Sequence, residues 1–217
     1  MIKIISFDLD GTLIKSAFAD LVWLEGLPKI YAQEKGIDFN EAKCYLKGEY
    51  DKIGDNKKEW YDLEYWFNRF KLKTTWILLL QKYRYAVETF PEVPTILEKL
   101  YNKYNLILIS NAKREFIDIE LEKSNLKQYF YLIFSSISDF NMVKKVSDFY
   151  SMICNRIGVN PDQIIHIGDH KEFDFKIPKK LGIKSFYLDR NRSSKGKFVV
   201  YDLQEFFSKV ENFYSFH

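Results

Sequence analysis

Five short apolar runs, each ending in polar or charged residues and each separated from the next by a helical pattern, restrict this chain to very few folds. The runs are residues 2–8, Asn105–Ser110, residues 131–135, Ile164–Gly168 and residues 184–189. A sixth, at residues 198–200, is shorter. Continuous apolar, β-branched runs of this length read as strands buried on both faces. Helical periodicity lies between them at 93–104, 113–123, 147–157 and 173–181. Gly158 and Gly182 stand where two of these helices would stop. Strands alternating with helices give an α/β fold: a doubly wound parallel sheet covered by helices on both faces.

Residues 15–90 break that alternation and carry helical signals only. A pattern over 17–25 stops at Gly26. Pro28 suits a first turn, and Gly36 ends the helix it opens. Asn40, Asp55 and Thr75 are expected to cap three further helices, running to Lys47, Phe70 and Val87. Phe90-Pro91 then punctuates the return to strands. The expected organisation is a core of 1–14 and 91–217 with a small all-helical cap, 15–90, inserted after the first strand. Residues 191–197 read as a surface loop.

The 217 residues suffice for a sizeable core plus a small second domain. The balance of 33 basic and 30 acidic residues argues against a nucleic-acid partner. Cys44 and Cys154 are far apart and only three His are present, so neither a disulfide framework nor a zinc site is expected. No apolar run approaches the length of a membrane span, and the chain opens directly on a strand without a leader pattern. The expectation is a cytoplasmic protein without a membrane partner, monomeric or homodimeric.

In an open parallel sheet, ligands gather outside the carboxyl ends of the strands. The first run ends in Asp8-Leu9-Asp10-Gly11-Thr12, the second in Ser110-Asn111, and the fourth in Gly168-Asp169, with Asp174 five residues on. Lys144 and Lys145 follow the third run. Carboxylates converging without His or Cys favour a hard cation such as Mg²⁺. The added lysine and hydroxyl favour an anionic group beside it, and phosphate fits both.

These motifs, in this order, resemble those of the haloacid dehalogenase superfamily of phosphohydrolases. The resemblance implies a Rossmann-like core with a cap and Mg²⁺-dependent hydrolysis of a small-molecule phosphate monoester. It makes Asp8 the nucleophile of an aspartyl-phosphate intermediate and Asp10 the general acid and base, with its backbone carbonyl on the metal. Ser110, Asn111, Lys144 and Thr12 would hold the phosphoryl group, with Ser110 and Lys144 also catalytic. Thr12 would order the turn as well. Asp8, Asp10, Asp169 and Asp174 form the implied metal set, Asp174 either ligating through water or orienting the lysine. Lys144 is preferred to Lys145 because it stands 25 residues before Asp169 and 14 before Gly158, spacings similar to the family's. An acid at position 10 separates the chain from relatives that expel halide, which need no protonated leaving group.

Two alternatives share this reading: a phosphotransferase or sugar-phosphate mutase, and a catalytically silent binding module on the same fold. A receiver domain is disfavoured by the spacing of Asp8 and Asp10 and by the helical insertion. His166, inside a strand, is expected to be packed, and His170 to be a loop residue. Trp60, Tyr61, Tyr65, Trp66, Phe67 and Phe70 read first as a helical-bundle core and second as an aromatic wall over a substrate. Lys113 and Arg114 read as solvated charge or as a grip on an acidic tail.

Overall fold

The computed structural model describes residues 2–214; Met1 and residues 215–217, at the two ends of the expected core, lie outside the described residues. Six parallel strands form one sheet: β1 (Ile4–Phe7), β2 (Asn105–Ser110), β3 (Phe130–Ser135), β4 (Ile164–Gly168), β5 (Lys184–Leu188) and β6 (Val199–Val200). Their order is β3-β2-β1-β4-β5-β6. The winding therefore reverses beside β1, the position at which a doubly wound sheet opens a crevice.

Period-two alternation explains the two cores. Ile5 and Phe7, Leu106 and Leu108, and Ile165 and Ile167 enter one apolar cluster, together with Ile96, Leu97 and Leu100 of the helix Val93–Tyr101. Ile4, Ile107, Ile109 and Ile164 point to the opposite face, against Phe149, Tyr150 and Ile153 of the helix Ser147–Ile157. Burial on both faces is what makes these strands read as unbroken apolar runs. Phe7 pairs with Leu108 on one side and Ile167 on the other, so Asp8, Ser110 and the residues after β4 emerge on one rim.

Between β1 and β2 the described chain is helical, with a separate apolar cluster that includes Phe18, Leu46, Leu63, Trp66, Phe67 and Phe70. The chain leaves and re-enters side by side: the Lys15 amide donates to the Glu88 carbonyl at 2.9 Å, and the Phe90 amide to that of Leu13 at 3.2 Å. Thr75 caps Trp76–Tyr83 as expected, its hydroxyl accepting from the Leu78 amide. Two caps differ from expectation. Asp38, not Asn40, caps Phe39–Ile53, because its carboxylate reaches the Asn40 and Glu41 amides. Asp62, not Asp55, caps Leu63–Phe70, since the preceding residues Lys58–Tyr61 form a tighter 3₁₀ turn. Among the described residues, no helix is long and apolar enough to cross a membrane.

Candidate active site

β1 delivers Asp8 to the rim almost fully buried, at 6% exposure. Both of its carboxylate oxygens are held: Oδ1 accepts from Lys145 Nζ at 2.5 Å, and Oδ2 from the Thr12 hydroxyl at 2.9 Å. The Thr12 and Leu13 amides return to the Leu9 carbonyl, winding the chain so that residue 12 faces residue 8. Thr12 therefore orders the turn, and its fully buried hydroxyl is directed to the Asp8 carboxylate rather than outward to the position expected for a phosphate.

The lysine assignment changes too. Lys145 is 1% exposed and its ammonium sits 2.5 Å from both Asp8 and Asp174. Lys144 points the other way, to Asp55 of the helical insertion at 2.8 Å, with its ammonium over the Phe173 ring. The segment 141–146 is irregular, and the Val146 amide donates to the Lys144 carbonyl at 2.8 Å, closing a tight turn around Lys145; the two neighbouring side chains leave that turn in different directions. Spacing resolves this motif to within a residue, and one residue decides which lysine enters.

β4 ends in Gly168-Asp169. Asp174, on the helical turn Lys171–Lys176, folds back beneath it. Oxygens of Asp8, Asp169 and Asp174 lie within 4.8 Å of one another. Two glycines permit this convergence. Gly11 has a left-handed φ of 74°, and a Cβ there would run into the Asp169 carboxylate; a Cβ on Gly168 would run into that of Asp174. Asp174 accepts from Lys145, from His166 Nε2 at 3.2 Å and from the His170 amide at 3.0 Å. Those contacts favour the lysine-orienting role for Asp174.

The electrostatics reflect an excess of acid. Burial, then the neighbouring Asp8 and Asp174 charges, push Asp169 up to about 8. Burial and the Asp8 charge push Asp10 up to about 6. Asp8 is raised as well, mainly by burial, against the pull of Lys145. Burial would also raise Asp174, but Lys145 and His166 outweigh it and hold this carboxyl well below its ordinary value. One ammonium faces four carboxyls, so the donor set fits a hard divalent cation, all oxygen and short of positive charge.

Ser110 ends β2 buried, its hydroxyl accepting from the Ala112 amide at 2.9 Å. The Asn111 side-chain oxygen accepts from Ser136 at 3.2 Å. Both stand on the Asp8 rim. Above it lies a cavity of about 450 Å³, lined in part by Asp10, Asn111, Lys113, Trp60 and Tyr61. The aromatic residues of 60–70 therefore divide: Trp66, Phe67 and Phe70 are bundle core, while Trp60 and Tyr61 face the cavity. Lys113 is paired with Asp62 and Glu115, and Arg114 with Asp139. His170 caps the turn after β4 and stacks on Phe173.

His166 is packed inside its strand as expected, buried among Ser6, Tyr150 and Asp174. Sequence reasoning missed three groups, none of which carries a local signal. Trp23 lines the cavity from the insertion. Glu120 is buried and pushed well above its ordinary value by burial and by the Asp10 charge. Arg190 donates to the Gly11 and Thr12 carbonyls.

The chain belongs to the haloacid dehalogenase-like hydrolase family, whose pattern it matches over residues 5–188. It is similar to the glyceraldehyde 3-phosphate phosphatase of Methanocaldococcus jannaschii, 25% identical over 98% of each chain. It is also similar to the GMP/IMP nucleotidase YrfG of Escherichia coli, 24% identical over 75% of this chain and 72% of that one. Among solved structures, a HAD phosphatase from Thermococcus onnurineus superposes with a TM-score of 0.83 at 22% identity, covering 96% of this chain and 98% of that one. A 2-haloacid dehalogenase from Pseudomonas syringae gives 0.71 at 18% identity, over 98% and 100%. Both likenesses are of fold.

Proposed function

We propose that this hydrolase cleaves small-molecule phosphate monoesters, using Mg²⁺ and an aspartyl-phosphate on Asp8, with residues 15–90 acting as a cap over the site. The observation that carries the reading is the convergence of Asp8, Asp169 and Asp174 within 4.8 Å of one another, with the buried Lys145 ammonium bonded to Asp8 and Asp174 and Asp10 on the adjacent cavity wall. The names of the two curated relatives, a nucleotidase and a phosphatase, support the same class.

An Asp8 oxygen attacks phosphorus in line, and the ester P–O bond breaks. Asp10, raised to about 6, gives its proton to the departing alkoxide and then takes one from the water that attacks the acyl phosphate. That second step releases phosphate and regenerates the Asp8 carboxylate. Lys145 neutralises the nucleophile before attack and the phosphoryl oxygens after it. Ser110 and Asn111, on the same rim, donate to those oxygens. Mg²⁺, held by Asp8 and Asp169 with the Asp10 carbonyl, would supply charge neutralisation between two anions.

The test is a screen of phosphate esters with Mg²⁺, with and without chelator, on the wild type and Asp8→Asn. Loss of turnover in both the variant and the chelated enzyme is expected. Equal turnover by Asp8→Asn removes the nucleophile, and chelator-insensitive turnover removes the metal.

A further inference from the structure

The cavity beside Asp10 has one wall built from a row of near-parallel rings. Trp60 stacks on Trp23 at 6.5 Å and 26°, and Trp23 on Phe116 at 6.0 Å and 7°. Tyr50 meets Trp23 edge-on at 89°. The three stacked rings come from three separate segments: the helical stretch after β1, the 3₁₀ turn Lys58–Tyr61 and the helix Arg114–Lys123. All of them line the cavity, as do Ala19, Leu24 and Ala112.

The charges on the lining are equally selective. Lys113 is its cation among the described residues, and that ammonium is already shared by Asp62 at 2.9 Å and Glu115 at 3.4 Å. Asp10 and Asp20 are its acids. Asp20 is exposed and accepts a hydrogen bond from the Ser16 hydroxyl at 2.8 Å, which leaves lone pairs for a further donor. A phosphorylated acid would bring a second anion to a wall whose cation is taken and whose acids repel it. A three-carbon polyol would occupy a fraction of about 450 Å³, leave the ring faces wet and find few partners for its hydroxyls. A flat, neutral, unsaturated group bearing N–H donors satisfies both features: its faces meet the rings and its donors meet Asp20.

We propose that the leaving group is a nucleoside, so that the substrates are nucleoside 5′-monophosphates whose base lies against Trp60, Trp23 and Phe116 and donates an N–H to Asp20. This rests on the phosphohydrolase reading above. In the reaction the bond from phosphorus to O5′ breaks as the bond from Asp8 to phosphorus forms. O5′ takes the Asp10 proton, and water then releases inorganic phosphate.

The full-length enzyme with Mg²⁺ is assayed on GMP, IMP and AMP, against ribose 5-phosphate, which lacks the base, and against glyceraldehyde 3-phosphate and p-nitrophenyl phosphate. Binding of guanosine is measured separately by calorimetry without metal. At least one nucleotide is expected to exceed ribose 5-phosphate in kcat/KM by about ten- to a hundredfold, the worth of one stacked base. Trp23→Leu is expected to bring that ratio towards one and to weaken guanosine binding by a similar factor. Asp20→Ala, at an exposed position where folding is not at issue, is expected to lower the kcat/KM of the nucleotides relative to ribose 5-phosphate, because guanine, hypoxanthine and adenine each carry an N–H donor that the carboxylate accepts and ribose 5-phosphate has no base. Ribose 5-phosphate or glyceraldehyde 3-phosphate turned over as well as every nucleotide overturns the nucleoside assignment and leaves the phosphohydrolase standing. If no ester is turned over, the phosphohydrolase reading falls and calorimetry decides the cavity: guanosine binding that Asp20→Ala or Trp23→Leu weakens supports it, and no binding, or binding indifferent to both variants, overturns it.

Discussion

Replacing Lys145 and Lys144 in turn by methionine separates two residues that adjoin in sequence and differ in almost every physical respect. Lys145 is 1% exposed and bonded at 2.5 Å to each of two buried carboxylates. Burial works against its ammonium, but Asp174 and Asp8 outweigh that and raise its pKa, so it is charged at any working pH. Methionine fills much of the same volume and removes the charge, leaving Asp8 and Asp174 uncompensated. Breaking a buried ion pair from one side costs about 3–5 kcal/mol. For a chain of this size each kcal/mol moves Tm by about 2–4 °C, so Lys145→Met is expected to lower Tm by about 6–20 °C. The Lys144–Asp55 pair joins a half-buried lysine, 21% exposed, to an Asp55 carboxylate that is 58% exposed, and solvent on the Asp55 side limits it to about 1 kcal/mol or less. Lys144→Met should therefore shift Tm by no more than a few degrees. The assay is thermal unfolding by circular dichroism in chelator and again in Mg²⁺, beside steady-state kinetics. Added Mg²⁺ should restore part of the Lys145→Met loss, because another cation enters the same carboxylate cluster. Turnover should fall about 10²–10³-fold in Lys145→Met, the range for loss of one preorganised charge-stabilising group. A Lys144→Met enzyme that is inactive beside a stable, active Lys145→Met enzyme would refute the assignment outright.

Two further outcomes follow from the loop and its support. Gly11→Ala places a side chain at a φ of 74° and against the Asp169 carboxylate; about 1–2 kcal/mol of backbone strain and at least tenfold weaker Mg²⁺ binding by calorimetry are expected, and unchanged affinity would disprove the close approach. Burial would raise Glu92, but its bonds to Arg190 prevail and depress it, so its stabilisation is present above the ordinary glutamate value of 4.5 and is lost as pH falls through the folded value; Glu92→Gln, partly solvated, should lower stability by about 1 kcal/mol or less at pH 7 and match the wild type near pH 3 in denaturant titrations, whereas a deficit that grows on acidification would contradict this.

The sheet was legible because its strands are buried on both faces: Ile5 and Phe7 serve one core and Ile4 the other, so apolar runs mark strands without ambiguity. The motif residues were legible for a related reason, since strand ends have fixed places on the rim. Legibility failed where position depends on side-chain direction in irregular backbone. Lys144 and Lys145 differ by one residue in an irregular, turning stretch, which spacing does not separate. Thr12 was expected to reach outward as well as order its turn, yet the turn directs its hydroxyl back to Asp8. Asn40 and Asp55 were plausible caps displaced by better-placed acids, Asp38 and Asp62. Trp23 carried no local signal, because its meaning comes from Trp60 and Phe116, which only the tertiary fold brings beside it.

The two sides of the cavity are held by different kinds of force. On the core side, the turn that presents Asp8 and Asp10 is fixed by Arg190, 179 positions from Gly11. Its guanidinium donates to the Gly11 carbonyl at 3.2 Å and the Thr12 carbonyl at 2.7 Å, pairs with Glu92 at 2.8 Å and lies 3.4 Å over the Phe90 ring. Thr12 and Lys145 grip the carboxylate of the same turn from within. Each contact is at least partly shielded from water, and together they fix the direction of the Asp8 carboxylate before any ligand arrives, which is what the proposed role of that group requires. On the helical side, polar side-chain contacts to the core include Lys144–Asp55, Lys58–Asn141, Lys113–Asp62 and Arg84–Glu122. The first two are solvent-exposed, individually weak and screened by salt. Apolar packing also joins the two sides, with Phe116 of the core helix lying against Phe18 and Trp23 of the insertion. In the two-step hydrolysis proposed above, this division would hold the Asp8 carboxylate in place while the helical insertion moves to release a product.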